Sequence, residues 1–389
     1  MKLYSSTAFA ALIIGILSVT SALAANAGHY LVTNDDLTGN FIQNTMTVYT
    51  IATNGQLTLA GQVDIGVTGA TGGYFAANRV IALDNASNQC IFASDSATGT
   101  VASVNANTLT LVGHDKGSSD DTGLSNGVGL ALNGQYLYAS FSDSSNIGTF
   151  QIQSDCGLSF VGDITVNGLQ GGIVDGMAVH GNILVATYGD GSIESFNLSS
   201  GVPVSNGDKQ NSTGAKGGNS YPSSIDITQD GHFAIFGDTS TATLVEVSDI
   251  SSGKLTPTIA YRALASINSS NVMLSPDETL LYISNTQGDT VSAAFFDKTT
   301  GQLTRGCKSN LLKGYSSNWS YLAGLALASS SGNGGGVYVA EFGSPSGIAE
   351  VQVTSANGTC SMAEAPMSPI ADPNSFGLLS IATFPPRAF

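Results

Sequence analysis

Apolar and polar positions follow the same pattern seven times along this chain. Each copy contains a short apolar stretch, often with an aromatic residue, that ends in an acidic, amide or aromatic residue. In six copies a run of small apolar residues comes just before it, and a polar turn such as Asn133-Gly134 or Asp230-Gly231 separates the two. Asn-Gly and Asp-Gly favour tight hairpins, so each copy predicts a pair of antiparallel strands.

The spacing of these copies predicts the architecture. The second strand of each pair begins at Tyr30, Ile91, Leu137, Leu184, Ala234, Leu281 and Val337, which gives spacings of 61, 46, 47, 50, 47 and 56 residues. Repeats of about 40–50 residues built only from strands are typical of β-propellers, with one four-stranded blade per repeat. The sequence therefore predicts an all-β, seven-bladed β-propeller.

The first copy lacks the preceding run of small apolar residues, and the other end of the chain supplies one. Residues Phe376–Phe384 have the same small, apolar character. We expect this C-terminal strand to join the first blade and close the ring, because closure removes exposed sheet edges. Truncation after Pro373 should then unfold or aggregate the protein.

The N-terminus and the cysteines indicate the compartment. Residues 1–24 combine Lys2, the apolar run Ala8–Val19 and small residues up to Ala24, which predicts a secretory signal peptide too short to span a bilayer. A single propeller domain is expected over residues 25–389. The even number of cysteines predicts disulfides and a secreted or periplasmic location. These cysteines are Cys90, Cys156, Cys307 and Cys360.

Four cysteines allow three pairings. We favour Cys90–Cys156 with Cys307–Cys360, because each of these bridges would link neighbouring blades. Their wide spacing does not resemble a zinc site, which would require two close pairs.

The charge of the chain narrows the choice of partners. The net charge is −16, and only 12 residues are Lys or Arg. Nucleic acids and anionic lipids need cationic side chains that neutralise phosphates, so neither is expected as a partner. No segment after the N-terminal run has the length of a membrane-spanning helix. The expected partner is a small molecule or a protein bound at one end of the propeller.

Some repeats resemble a known family. The segment Leu274-Ser-Pro-Asp-Glu-Thr-Leu-Leu-Tyr-Ile-Ser-Asn285 and the strand Leu31-Val-Thr-Asn34 are similar to the repeat of YVTN-type seven-bladed propellers. That superfamily includes the 6-phosphogluconolactonase and carboxymuconate-cyclase (lactonase) group, so the resemblance implies a lactone hydrolase or cyclase. Lactonase-type enzymes tend to carry a His-Pro-His segment before an inner strand. The comparable positions here, Ser125–Val128 and Tyr221–Ser224, contain no histidine.

Candidate site residues are those at the face where inner strands begin and second strands end, which we call the mouth face. The candidate catalytic residues are Arg79, Asp175, Glu341 and His114, the last of which lies in a predicted inter-blade loop. Arg79 would pair with an oxyanion or a carboxylate, and an acid would act as the base. Candidate ligand-binding residues precede or begin the inner strands. They are Asn78, Asn126, Tyr221, Asn268 and Tyr321.

Acidic residues recur roughly once per blade near the second-strand ends, and we call this set the acidic crown. Its members are Asp35, Asp36, Asp95, Asp143, Asp190, Asp238, Asp289 and Glu341. The crown could hold calcium, although Asp also closes turns with its own side chain and no Asp-x-Asp-x-Asp-Gly loop is present. We expect no resident cofactor or metal, with calcium as the alternative.

Three functions remain open at this point, and one of them is a purely structural role in an envelope or extracellular matrix. The missing histidines favour a secreted propeller that serves as a ligand-binding or interaction module through its mouth face. The alternative is a lactonase-like enzyme that uses Arg79 with an acidic partner.

Overall fold

The computed structural model describes most of the chain in segments. The described residues are 29–35, 43–66, 78–95, 98–117, 129–141, 144–213, 222–238, 244–262, 269–286, 288–313, 321–328, 335–342, 346–372 and 380–386. Within these segments the chain forms 30 β-strands and no α-helix. The strands make seven antiparallel sheets, which are the blades of the predicted propeller. The fold prediction is confirmed, whereas the expected signal peptide lies outside the described residues.

Each blade contributes one strand to the centre of the ring and three strands that lie progressively farther out. The inner strands of blades 1 to 7 are β30 (Ser380–Phe384), β4 (Val80–Asp84), β8 (Leu130–Leu132), β12 (Val174–His180), β17 (Pro222–Ile227), β21 (Ser269–Leu274) and β25 (Tyr321–Ala328). The second strands are β1 (Tyr30–Asn34), β5 (Gln89–Asp95), β9 (Tyr136–Phe141), β13 (Ile183–Tyr188), β18 (Phe233–Asp238), β22 (Leu280–Asn285) and β26 (Gly336–Phe342).

The third and fourth strands complete the blades in the same order. The third strands are β2 (Thr45–Ile51), β6 (Thr100–Asn105), β10 (Asn146–Ile152), β14 (Ser192–Asn197), β19 (Leu244–Asp249), β23 (Thr290–Asp297) and β27 (Ser346–Ala356). The fourth strands are β3 (Leu57–Asp64), β7 (Thr110–Lys116), β11 (Leu158–Thr165), β15 (Val204–Ser205), β20 (Ile259–Arg262), β24 (Gln302–Lys308) and β28 (Thr359–Glu364). Two further short strands complete the sheets: β16 (Gln210–Asn211) pairs with β14, and β29 (Ile370–Asp372) pairs with β27.

The C-terminal strand closes the ring as expected. Strand β30 pairs with β1 in antiparallel register from Tyr30 opposite Phe384 to Asn34 opposite Ser380. The rings of Tyr30 and Phe384 stack with centroids 6.5 Å apart, and Phe384 is 5% exposed. Blade 1 therefore consists of one strand from the end of the chain and three from its beginning.

The hydrophobic core lies between adjacent blades. For example, one buried cluster joins Val32 and Val48 of blade 1 to Val80 and Ile91 of blade 2. Small side chains on the inner strands allow seven strands to approach the axis, and the larger apolar residues fill the space farther out.

A hydrogen bond between neighbouring blades occurs at the same position of two repeats. The Tyr138 hydroxyl donates to the Gly201 carbonyl of the next blade at 3.1 Å, and the Tyr338 hydroxyl of blade 7 donates to the Gly55 carbonyl of blade 1. The same position in two repeats thus makes the same contact, once across the point where the ring closes.

Two disulfides connect neighbouring blades, as favoured above. Cys90 of blade 2 bonds to Cys156 of blade 3, with Cα atoms 5.6 Å apart, and Cys307 of blade 6 bonds to Cys360 of blade 7 at 5.5 Å. Disulfides persist in oxidising compartments, so they indicate an extracytoplasmic location. In the part of the chain that the structure describes, no helix is long and apolar enough to cross a membrane.

Candidate functional site

The antiparallel pairing brings the candidate residues to one face of the propeller. Inner strands begin at the end of the blade where second strands end. At this end the Ser94 amide donates to the Arg79 carbonyl at 2.8 Å, and Glu341 lies opposite Leu322. Arg79, Asp175 and Glu341 therefore all lie at the mouth face. They belong to blades 2, 4 and 7, which are not neighbours in the ring.

A cavity of about 160 Å³ follows the axis of the ring. It extends from Asn78 at the mouth face to Pro386, which follows β30 at the other end. Its walls are the inner strands of blades 1, 2, 5, 6 and 7. Among the described residues that line it, Asp226 is the one ionisable side chain, and its Oδ2 accepts a hydrogen bond from the Leu274 amide at 2.7 Å.

Arg79 lies at the boundary between blades 1 and 2 and has no exposed surface. Its amide donates to the Ser380 hydroxyl at 3.0 Å, and its carbonyl also accepts from the Asn34 side chain at 3.3 Å. These contacts hold the start of β4 against β30, through Ser380, and against β1, through Asn34. The neighbouring Asn78 is exposed and lines the cavity.

Asp175 sits in a β-bulge at the start of β12. The pairing of β12 with β13 skips one residue between Val174 and Gly176, so Asp175 has no partner in the ladder. Bulges re-aim side chains and are common next to active sites. Asp175 is 2% exposed, and its Oδ1 atom has no hydrogen-bond partner among the described residues.

The protonation of Asp175 follows from this burial. Loss of solvation raises its pKa to about 8, and the negative charge of Asp190 contributes in the same direction. At neutral pH the buried carboxyl therefore carries a proton.

The pKa of Asp190 is shifted in the opposite direction. Its carboxylate accepts hydrogen bonds from the Ser192 hydroxyl at 2.5 Å and from the amides of Gln170 at 2.6 Å and Gly172 at 3.1 Å. Burial opposes ionisation, but these hydrogen bonds outweigh it and lower the pKa of Asp190. Gly172 has no room for a side chain there, because a Cβ atom would lie 2.6 Å from the Asp190 amide. Two carboxyls of one blade thus differ in charge at neutral pH.

Glu341 is the second buried acid with a pKa near neutrality. It is 3% exposed at the end of β26. Burial raises its pKa to about 7, with smaller contributions from the charges of Glu364 and Asp289. Groups with pKa values close to the working pH are suited to proton transfer.

The structure describes only some of the remaining predicted residues. Asn126, Tyr221 and Asn268 lie outside the described residues, and for Tyr321 only the backbone is described, at the start of β25. The inter-blade loop expected around His114 is wrong, because His114 lies in β7, the outermost strand of blade 2, where its Nε2 contacts the Ile65 carbonyl. The apolar pattern of that outer strand was too weak to identify it as a strand.

Sequence reasoning missed two residues near the site. Asp226 of β17 lies in the cavity wall, and alternation along a strand does not predict this position because it does not show which residues reach the axis. Asp190 was assigned to the acidic crown, but its role in holding residues 170–172 depends on a loop that folds back from another part of the blade.

Other members of the acidic crown are buried as well. Asp35 has no exposed surface, and its burial raises its pKa against hydrogen bonds from Thr33, Thr45 and Thr47. Asp36 and Asp143 lie outside the described residues. Among the described residues, no three His, Cys, Asp or Glu side chains are grouped so that they could hold a metal ion. Calcium at the crown stays a prediction.

Comparison with known proteins identifies the family. Residues 116–365 match the family described as Lactonase, 7-bladed beta-propeller, and the chain therefore belongs to it. A search of curated protein sequences found no match.

Several solved structures are similar. A Bacteroides fragilis protein assigned as a 6-phosphogluconolactonase has a TM-score of 0.67 at 16% identity, over 92% of this chain and 99% of its own. A Bacteroides uniformis protein with the same assignment has a TM-score of 0.66 at 13% identity, over 92% and 100%. The periplasmic gluconolactonase PpgL of Pseudomonas aeruginosa has a TM-score of 0.51 at 13% identity, over 72% and 81%. At such identities the similarity shows the fold alone.

Proposed function

We propose that this protein is an extracytoplasmic lactonase-like enzyme that opens a lactone ring at the mouth face of the propeller. The observation that carries the proposal is the pair of buried acids at the mouth face, Asp175 and Glu341, whose pKa values of about 8 and about 7 lie just above and at neutral pH. Membership of the lactonase family supports it. We also propose that residues 1–24 are removed as a signal peptide.

Lactone hydrolysis needs two proton transfers. Water adds to the ring carbonyl and loses a proton to a base; the ring C–O bond then breaks, and the departing alkoxide takes up a proton, which yields a hydroxy acid. Glu341 is partly ionised at pH 7 and is suited to accept the proton, whereas Asp175 is mostly protonated and is suited to donate one. The two acids lie in different blades, so each is a separate candidate for the group that acts on the substrate.

The mouth end of the axial cavity is the proposed substrate site; Asp175 and Glu341 do not line the cavity itself, so either acid would act on a lactone held at the cavity entrance. The cavity volume of about 160 Å³ is close to that of a cavity that holds a single six-membered ring. Asn78 is exposed at the mouth end of this cavity and can offer an amide to a ring oxygen or hydroxyl.

Initial rates of lactone hydrolysis test this proposal. Wild type is compared with Asp175→Asn and Glu341→Gln, and Asp297→Asn, an exposed acid in a turn on the opposite face, is the matched control. We expect at least one of the two buried-acid variants to lose about 10²–10⁴-fold in kcat, which is the usual contribution of general acid–base catalysis. Hydrolysis by both variants at the wild-type rate would exclude these acids as catalytic groups.

A binding module is the second candidate function. It is favoured by the fact that Arg79, Asp175 and Glu341 are buried in three separate blades, whereas the open cavity presents mainly neutral walls. Saturable binding of a lactone or sugar without turnover, measured by calorimetry on folded protein, would support the module over the enzyme.

A further inference from the structure

The loop that leads into blade 4 is held by the residues that follow β13. This loop, residues 166–173, runs from β11 to the inner strand β12 at the mouth face. The Gly189 amide donates to the Ile173 carbonyl at 2.9 Å, and the Leu169 amide donates to the Ser192 hydroxyl at 3.1 Å. The end of the second strand therefore fixes the backbone that enters the inner strand.

Asp190 is the centre of this anchoring. Its Oδ2 atom accepts from the Gln170 amide at 2.6 Å and from the Gly172 amide at 3.1 Å. Its Oδ1 atom accepts from the amide and the hydroxyl of Ser192, at 3.0 and 2.5 Å. The loop fits closely around this carboxylate, because a Cβ atom on Gly168 would lie 2.2 Å from Oδ2. Hydrogen bonds to a charged acceptor are stronger than those to a neutral one, so the carboxylate holds the loop more firmly than an amide would.

Asp175 lies beside this anchored segment. A Cβ atom on Gly189 would lie 3.5 Å from Asp175 Oδ2, an ordinary contact distance, so the Asp175 carboxyl packs against the residue next to Asp190. Asp175 is in the β12 bulge, and its Oδ1 atom has no hydrogen-bond partner among the described residues. The orientation of Asp175 therefore depends on the backbone that leads into the bulge, which is the backbone that Asp190 holds.

The charge of Asp190 also acts on Asp175. Burial is the main cause of the raised pKa of Asp175, and the negative charge of Asp190 is the second cause. Hydrogen bonds lower the pKa of Asp190 against the effect of its own burial, so Asp190 is ionised at neutral pH. A like charge nearby makes the second carboxyl hold its proton more tightly.

Other ionisable groups on the strands and turns packed around β12 are engaged elsewhere. They are Glu194 and Lys209, which lie 3.0 Å apart, Asp208, which accepts from the Ser195 and Leu255 amides, and Asp226 near the far end of β17, which accepts from the Leu274 amide. The phenols of Tyr138 and Tyr188 have pKa values raised by burial, so both stay neutral up to pH 9.

We propose that Asp190 is a positioning residue for Asp175: its carboxylate fixes the loop that leads into the bulge and places a like charge beside the Asp175 carboxyl. This inference rests on the proposed function, in which Asp175 donates a proton to the departing alkoxide. A proton donor must be held within reach of the atom that it protonates, and the anchored loop provides that constraint. Asp190 acts through Asp175 and needs no contact with the substrate.

Two replacements separate position from charge. Asp190→Asn keeps an oxygen that can accept from the Gln170 and Gly172 amides and removes the charge, whereas Asp190→Ala removes both. Asp277→Asn is the matched control. Asp277 is likewise held by a serine hydroxyl at 2.6 Å and a backbone amide at 3.2 Å, but it lies in the turn between β21 and β22 on the opposite face.

Initial rates on glucono-δ-lactone, corrected for spontaneous hydrolysis, are measured from pH 5 to pH 8.5. Activity that needs protonated Asp175 should fall at high pH, and in Asp190→Asn this fall should begin at lower pH because Asp175 then ionises more easily. The ratio of kcat/KM between Asp190→Asn and wild type should therefore be lower at pH 8 than at pH 6. Asp190→Ala should also lose about 10–10²-fold in kcat at pH 6, since a displacement of about 1 Å can cost that much. Asp277→Asn should follow wild type throughout.

Denaturant unfolding gives a second readout that needs no turnover. In wild type the proton retained by Asp175 makes stability fall as the pH rises towards its folded pKa of about 8. In Asp190→Asn this fall should end at a lower pH, so the variant should gain stability relative to wild type between pH 6 and pH 9. In an Asp175→Asn background the same replacement should have an effect that does not change with pH, because the lowered pKa of Asp190 puts its own titration below this range.

The outcomes separate this inference from the proposed function. A wild-type pH profile in Asp190→Asn, or a wild-type kcat in Asp190→Ala, would overturn the inference and leave the lactonase proposal intact. No lactone hydrolysis by folded wild type would overturn the proposed function, and the unfolding profiles alone would then decide whether Asp190 acts on Asp175.

Discussion

Replacing Asp175 with asparagine should make the protein progressively more stable than wild type as the pH rises from 5 to 9. Burial raises the pKa of Asp175 to about 8, and the charge of Asp190 adds to this effect. In the unfolded chain the same carboxyl titrates near its ordinary value of 3.8. Between these pH values the folded protein keeps a proton that the unfolded chain releases, so wild-type stability falls as pH rises and reaches its lower limit above the folded pKa.

The magnitude follows from the width of this interval. Each pKa unit corresponds to about 1.4 kcal/mol, so an interval of about four units amounts to roughly 5 kcal/mol for a group that is almost fully buried. Most of that change falls between pH 5 and pH 8. An asparagine side chain has a similar shape but does not ionise, so the variant lacks this contribution to the pH dependence.

Denaturant-induced unfolding followed by circular dichroism measures the effect at several pH values, with both disulfides intact. Asp297→Asn is the control. Hydrogen bonds from the Thr299 amide and the Thr300 side chain lower the pKa of Asp297, so its contribution is present throughout pH 5–9 and is lost only in more acidic solution. The Asp297→Asn profile should therefore run parallel to that of wild type in this range.

A parallel profile for Asp175→Asn as well would refute the reasoning. It would mean that Asp175 is already ionised in the folded protein at neutral pH, and Asp175 could then no longer be proposed as the proton donor. A variant that stops diverging from wild type above about pH 6 would instead indicate a smaller shift of the folded pKa and a narrower interval.

Three further changes test the architecture by thermal unfolding. Replacing Cys90 and Cys156 together with serine should cost about 4 kcal/mol, because the bridge closes a loop with a sequence separation of 66 residues; an unchanged melting curve in dithiothreitol would contradict its stabilising role. Phe384→Ala should cost about 3–5 kcal/mol by opening a cavity between β30 and its neighbours, and an unaltered melting temperature would argue against closure by this strand. Tyr338→Phe should cost about 1–3 kcal/mol, because it leaves the buried Gly55 carbonyl without its donor; a neutral effect would show that water replaces the hydroxyl.

The repeat made most of the fold predictable. Second strands appear in the structure within two residues of their predicted starts, for example Leu184–Tyr188 within β13 (Ile183–Tyr188). The hairpin turns mark their boundaries, and seven repetitions of one pattern reinforce each other. Closure by the C-terminal strand was also predictable, because the first repeat was visibly short of one strand and the chain ended with a spare one.

The outer strands and the site were less predictable, for different physical reasons. Strand β7, which contains His114, alternates between partly buried and exposed positions and carries polar residues on both, so its pattern resembles a loop. The site depends on burial, which sequence does not show directly. Nothing in the residue types around Asp175 distinguishes a solvated acid from one with a pKa of about 8.

The repeat itself offers a way to recognise Asp175. Inner strands of blades 4 to 7 each skip residues in their pairing near the mouth face, at Asp175, Ser223, Ser270 and Ala323–Gly324. The backbone irregularity is therefore shared by four blades and is structural in origin, but only blade 4 places an ionisable residue in it. The corresponding positions of blades 5 to 7 hold small or neutral residues. A buried acid at such a bulge lowers the stability of the fold and does not improve the pairing of the two strands. That departure from the repeat is the argument for a chemical role of Asp175, and aligning the repeats of a propeller against one another would reveal it from sequence alone.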